Sequence, residues 1–160
     1  MTSVLIALGS NLGDRRLNLR RAIEHLKLAV NLARLSPVWE TAPVDAPEES
    51  GPFLNMVAAG STSLGPEELL AELHEIERRL GRKRRRRAEP RNVDLDLILH
   101  GATLRRSGGL VVPHPRFRER AFVLAPLADL GLSWVDPSTG RPLKWLRVEG
   151  DVEVAGSLYS

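Results

Sequence analysis

A chain of 160 residues is long enough to bury a core without covalent staples, and the lack of any cysteine excludes disulfides and thiolate metal centres. No apolar run reaches membrane-spanning length and the opening MTSVLIALGSN lacks the charged n-region of a signal peptide, so one soluble, cytoplasmic domain over residues 1–160 is expected. The net charge of +3 is unevenly held: six of the 23 basic residues form the run RKRRRR at 82–87, and the other 17 face 20 acidic ones, a remainder of −3 that points to a local polyanionic partner.

In chain order, the continuous apolar run VLIALGSN (Val4–Asn11), closed by Gly9, predicts a central strand. Leu19, Ile23, Leu26 and Val30 recur at helical spacing behind Asp14, a candidate cap. ARLSPVWETAPV contains Pro37 and Pro43 and reads as an irregular edge strand running into the turn-rich DAPEESGP. FLNMVAAGSTS predicts a strand from Phe53. The clearest helix follows, with Pro66 at its start, Glu67 and Glu68 in its first turn, and Leu69, Leu73, Ile76 and Leu80 as its stripe; Arg78 and Arg79 fill the last turn and Gly81 ends it. Past the basic run, PRNVDLDLILHG predicts a buried strand, and RERAFVLAPLADLG a short helix restricted by Pro126. VDPSTGRPL is a tight turn, and VEVAGSLYS either a final strand or a frayed end.

This order predicts the α+β class: a ferredoxin-like α/β sandwich with a mostly antiparallel central sheet and a helical C-terminal extension. A doubly wound sheet is the competitor, and it would bring a glycine-rich phosphate loop. Neither G-x-G-x-x-G nor G-x-x-x-x-G-K-[ST] occurs.

The chemistry centres on Asp94 and Asp96. On a strand both point to one face, about 6.5–7 Å apart along the chain, with Leu95 and Leu97 on the other. The apolar surroundings suggest a central strand, where carboxylates require a cation or hydrogen-bond donors. Magnesium fits, because it takes one or two carboxylates and completes its shell with water and substrate phosphates. Arg91 and the basic run suit the phosphate end of such a ligand. On composition alone that run reads as a solvated loop or a nucleic-acid patch. Its place between a capped helix and a strand with two acids fits better an arm that closes over a metal-bound triphosphate. A nucleic-acid-binding module and a metal-dependent nuclease or nucleotidyltransferase are the rivals. His114, set between prolines and followed by Arg116, Arg118 and Arg120, is a candidate phosphate-facing residue against the commoner structural role of a lone histidine. Glu77 lies beside the stripe of its helix and on spacing alone reads as a solvated acid.

The segments ALGSNLGD, FLNMV, PRNVDLDLI and VPHPRFRERAFVLAPL, in this order, resemble the 6-hydroxymethyl-7,8-dihydropterin pyrophosphokinases of folate biosynthesis, from Leu5 to about Leu130. The resemblance implies a ferredoxin-like enzyme that transfers pyrophosphate from ATP to the pterin hydroxymethyl group and releases AMP. It places two Mg2+ ions, arriving with ATP, on Asp94 and Asp96, with Arg82 and Arg91 also catalytic. It assigns ATP contacts to Glu77, Arg82, Arg84, Arg91, His114 and Arg120, and pterin contacts to Thr41, Val44, Phe53, Asn55 and Phe122. Phe53 and Phe122 would sandwich the flat ring, and Asn55 would offer a donor and an acceptor to its amide edge. The partners implied are these two small molecules, with no nucleic acid, no membrane and no second subunit. Ala88 and Glu89 stand where relatives often carry an aromatic and a small residue, and Ala42 where a proline is common.

Overall fold

The computed structural model describes residues 1–41, 51–81, 92–146, 152–156 and 158. Val44, Arg82, Arg84 and Arg91, with Ala42, Ala88 and Glu89, lie outside them. The first seven elements are β1 (Thr2–Ser10), α1 (Arg15–Leu26), β2 (Asn31–Leu35), β3 (Val38–Thr41), β4 (Phe53–Thr62), α2 (Pro66–Arg79) and β5 (Asp94–His100). A hairpin of β6 (Arg105–Ser107) and β7 (Leu110–Val112) follows, then a 3-10 turn at Phe117–Glu119, α3 (Ala121–Asp129) and β8 (Val152–Gly156). The main sheet has the order β5-β1-β4-β3-β8, with β2 also on β4, and every pairing among the described residues is antiparallel. This is the ferredoxin-like arrangement, and α3 is the helical part of the extension.

Local chemistry explains the boundaries. Asp14 accepts the Leu17 N–H at 3.1 Å and caps α1, a contact of about 1 kcal/mol. In α2, Pro66 fills the first helical position, where no intrahelical N–H is needed. The single edge strand expected across 33–44 is two strands, because Ser36 and Pro37 break it. The Ser36 N–H donates to the Val57 carbonyl at 2.9 Å while Ser36 Oγ accepts the Val57 N–H at 2.9 Å. As a result β2 pairs with Ala58–Ser61 of β4 and β3 with Phe53–Asn55.

The expectation of a central aspartate strand needs correction: β5 lies at the end of the sheet and pairs only with β1 among the described strands. Its apolar character has another cause. The outer edge is covered by a helix and a loop, since the Leu95 N–H donates to Glu77 of α2 at 3.3 Å and the Ile98 carbonyl accepts the His114 N–H at 2.9 Å. An edge closed in this way offers no template for another strand.

Two cores flank the sheet. Val4, Ile6, Leu8, Met56, Leu95 and Leu97 pack under α1 and α2, while Leu5, Ala7, Val57, Ala59 and Leu99 pack under α3 and Phe117. The tail is a strand: β8 runs beside β3, and Arg20 of α1 holds the chain beyond it by donating to the Leu158 carbonyl at 3.2 Å. No helix among the described residues is long and apolar enough to cross a membrane.

Candidate active site

The strand registers assemble the site. Gly9 of β1 lies opposite Asp94 of β5 on one side and opposite Asn55 of β4 on the other, and Asn55 lies opposite Trp39 of β3. Residues opposite one another in an antiparallel sheet point to the same face. Asp94, Gly9, Asn55 and Trp39 therefore form one row across four strands, and Ala7 puts Asp96 on the same face in the next. This is the α3 face, at its open end beyond the core formed by Leu5 and Ala7. Both aspartates are half-buried.

At the other end of the row, Asn55 and Thr41 are buried polar residues joined by a 2.7 Å hydrogen bond from Asn55 Nδ2 to Thr41 Oγ1. The bond fixes the carboxamide and leaves Oδ1 toward Gly9. A Cβ on Gly9 would stand 3.0 Å from Asn55 Oδ1 and 3.7 Å from Phe53 Cδ1. A glycine inside a strand marks a place where something approaches the backbone closely. Reading Gly9 as the end of the strand missed this, although an unbroken apolar run around a glycine carried the signal. Phe53 and Phe122 are both half-buried. Phe53 reaches over Gly9 from β4, and Phe122, at the start of α3, packs against the core beneath that helix.

The outer edge of β5 gathers a second group. Glu77 is 4% exposed, so it is not the solvated acid that helix spacing suggests, and its carboxylate meets β5 between the two aspartates. His114 is anchored through its backbone to Ile98, two residues past Asp96. Its ring Nδ1 accepts the Arg116 N–H at 3.4 Å, which leaves Nε2 to carry the proton of the neutral ring. Burial holds the His114 pKa below the ordinary histidine value; the Asp96 charge pulls it upward, and Arg120 and Arg116 push it down. Asp96, His114, Arg116 and Arg120 thus share one electrostatic neighbourhood. The Arg120 guanidinium carbon is 5.4 Å from the centroid of the Phe122 ring, within cation–π range.

Below the row, Ser10 Oγ donates to the Asn92 carbonyl at 2.5 Å, and Asn92 Nδ2 donates to the Leu80 carbonyl at 2.8 Å. Asn18 Nδ2 joins Ser10 Oγ at 3.2 Å. This polar knot ties the end of α2 to the start of β5, which are the two stems of the segment holding the basic run. Arg118 faces elsewhere and pairs with Asp136. Among the described residues no cluster of three or more metal-ligating side chains occurs.

With this geometry in view, a model of the 7,8-dihydro-6-hydroxymethylpterin-pyrophosphokinase family matches residues 5–131. The 2-amino-4-hydroxy-6-hydroxymethyldihydropteridine pyrophosphokinase of Aquifex aeolicus is 35% identical over 153 residues, which cover 96% of this chain and 95% of that protein. The protein of the same name from Bacillus subtilis is 47% identical over 127 residues, covering 78% and 75%. The mitochondrial folate synthesis bifunctional protein of Arabidopsis thaliana is 47% identical over 137 residues; the match spans 85% of this chain but only 24% of that longer protein. In fold, the chain is similar to the crystal structure of wild-type Plasmodium falciparum HPPK-DHPS, with a TM-score of 0.71 at 12% identity, over 91% of this chain and 44% of that one.

Proposed function

The chain belongs to the 7,8-dihydro-6-hydroxymethylpterin-pyrophosphokinase family, and from that premise we infer how its residues divide the transfer of pyrophosphate from ATP to the hydroxymethyl group of 6-hydroxymethyl-7,8-dihydropterin. The observation that carries this reading is the single row across the sheet, with carboxylate at Asp94, a glycine at position 9 over which Phe53 reaches, and a fixed carboxamide at Asn55. It offers two ligands adjoining seats on one face, so that a hydroxyl held at one end meets a phosphorus held at the other. Such juxtaposition is the main contribution an enzyme makes to phosphoryl-type transfer.

Asp94 and Asp96 fit magnesium: two half-buried hard-oxygen ligands on one face leave the remaining positions to water and phosphate oxygens. When bound with ATP, two Mg2+ ions would neutralise triphosphate charge and favour the attacking alkoxide. Glu77, His114 and Arg120 hold the nucleotide. His114, kept neutral by burial, donates from Nε2 without adding charge, and Arg120 supplies the charge. Thr41 orients Asn55, which reads the pterin amide edge by donor and acceptor together, while Phe53 and Phe122 offer apolar ring faces. Arg82, Arg84, Arg91 and Val44 enter the proposal through the family resemblance alone, the arginines as groups meeting developing phosphate charge. A single domain over 1–160, acting as a cytoplasmic monomer, belongs to the same reading, and the return of β8 to the sheet supports its one-domain part.

Incubation with MgATP and 6-hydroxymethyl-7,8-dihydropterin tests the assignment. AMP and the pterin diphosphate are expected in equal amounts. Release of ADP or of free pyrophosphate would overturn it, as would cleavage of added nucleic acid.

A further inference from the structure

Arg116, Arg118 and Arg120 alternate along the segment after His114, but they do not act alike. Arg116 and Arg120 lie close enough to His114 to bear on its charge. Arg118 instead donates from Nε and Nη2 to the two carboxylate oxygens of Asp136, the second bond measuring 2.7 Å. The Asp136 side chain is 1% exposed, and its Oδ1 also accepts the Ser138 N–H at 2.9 Å. The residue sits in a closed turn: its own N–H donates to the Arg141 carbonyl at 2.9 Å, and its carbonyl accepts the Gly140 N–H at 2.8 Å. A bidentate pair to a carboxylate held on a rigid turn fixes orientation as well as distance.

What this pair anchors is short. The 3-10 turn at Phe117–Glu119 has three residues and no side-chain cap, and so brief a piece has little cooperative stability of its own. Phe117, fully buried, ties it to the core from one side, and Arg118 on Asp136 ties it from the other. The backbone passes both constraints outward, through the Phe117 N–H to the His114 carbonyl at 3.4 Å and the Arg120 N–H to the Phe117 carbonyl at 3.3 Å. Asp136 itself lies beyond residues 5–131, the span of the family match.

We propose that the Arg118–Asp136 pair is a positioning device for the nucleotide subsite, setting the 3-10 turn so that His114 before it and Arg120 after it face the triphosphate together. The inference rests on the nucleotide roles assigned to these two residues above. Arg118 and Asp136 touch no substrate; they act through their neighbours.

Two variants of the full chain test it. Asp136→Asn keeps shape and removes charge, and Arg118→Lys keeps charge but not the paired hydrogen bonds. KM for MgATP and for the pterin are measured separately, together with calorimetric binding of a non-hydrolysable MgATP analogue. About a tenfold rise in nucleotide KM and analogue Kd is expected for Asp136→Asn, with a smaller rise for Arg118→Lys and pterin KM within about twofold of the parent. If Asp136→Asn fails to fold, Arg118→Lys carries the test by the same split. Lower thermal stability with unchanged nucleotide KM and Kd would overturn the proposal, as would an equal rise in both KM values, and either would leave the pyrophosphokinase assignment standing. Failure of the parent chain to release AMP would instead overturn that assignment and the inference with it.

Discussion

Glu77 on α2 accepts the backbone N–H of Leu95 at 3.3 Å, at the point of β5 that lies between Asp94 and Asp96. A helix carboxylate thus closes the open edge of the strand that carries the site, so α2 braces from outside the two aspartates that pairing with β1 places.

Replacing Glu77 tests that link. Glu77→Leu leaves the Leu95 N–H buried without its acceptor, and should cost about 1–3 kcal/mol of stability in urea unfolding, with Glu77→Gln well below that. Both variants should weaken MgATP binding. Unchanged stability in Glu77→Leu would show that the bond contributes nothing.

Asp96→Ala should reduce turnover by at least about 100-fold while leaving the circular dichroism spectrum and melting temperature near those of the parent, because the residue is half-buried and lies at the open end of the α3 face, at the margin of the core there. Magnesium should no longer strengthen binding of the ATP analogue. Near-normal turnover would remove Asp96 from the metal site.

Gly9→Ala places a methyl group 3.0 Å from Asn55 Oδ1. Because Thr41 holds that carboxamide, the contact must be relieved by a small shift of Asn55, so the variant should lose some stability and raise pterin KM by roughly tenfold, equivalent to about 1.4 kcal/mol, with nucleotide KM much less affected. Equal effects on both substrates would mean that Gly9 does not set the placement of Asn55 and Phe53 toward the pterin.

Acid titration reports on Asp136. Burial alone would raise its pKa, but hydrogen bonds from Arg118 and the Ser138 N–H outweigh burial and hold it below the ordinary 3.8. The unfolded chain therefore binds this proton more readily than the folded one. The stabilising contribution is complete above the unfolded value and disappears as the pH falls through the lower folded one. Asp136→Asn should be less stable than the parent at neutral pH, and the gap should narrow below pH 3.8. A gap constant down to strong acid would contradict the assigned shift.

The parts of the molecule that declare themselves locally were legible in the sequence. Helix α2 carries its own start, stripe and stop between Pro66 and Gly81, and the alternation of Asp94 with Leu95 put both carboxylates on one face before any strand partner was known. Position in the sheet was not legible, because apolar residues on both faces of β5 arise equally from neighbouring strands or from covering helices and loops. Glu77 illustrates the same limit: one position beyond Ile76 on a helix reads as solvent-facing, yet in the folded chain it is buried and bonded to the Leu95 N–H of β5. VDPSTGRPL was recognisable as a turn, yet nothing within it tells that Asp136 pairs with an arginine 18 residues earlier. The site row is likewise a matter of register, which joins positions 9, 55 and 94 through pairings no single segment encodes.

Strand β4 is shared by two partners along one edge, β2 gripping its Ala58–Ser61 half and β3 its Phe53–Asn55 half, with the break at Ser36 bonded to Val57 between them. A rail split in this way separates two kinds of duty. Changes at the β3 half fall on Thr41, Phe53 and Asn55, the residues proposed above for the pterin, while the β2 half goes on bearing the frame, so on that proposal substitutions that alter ligand preference should concentrate on one side of Val57 and spare the other.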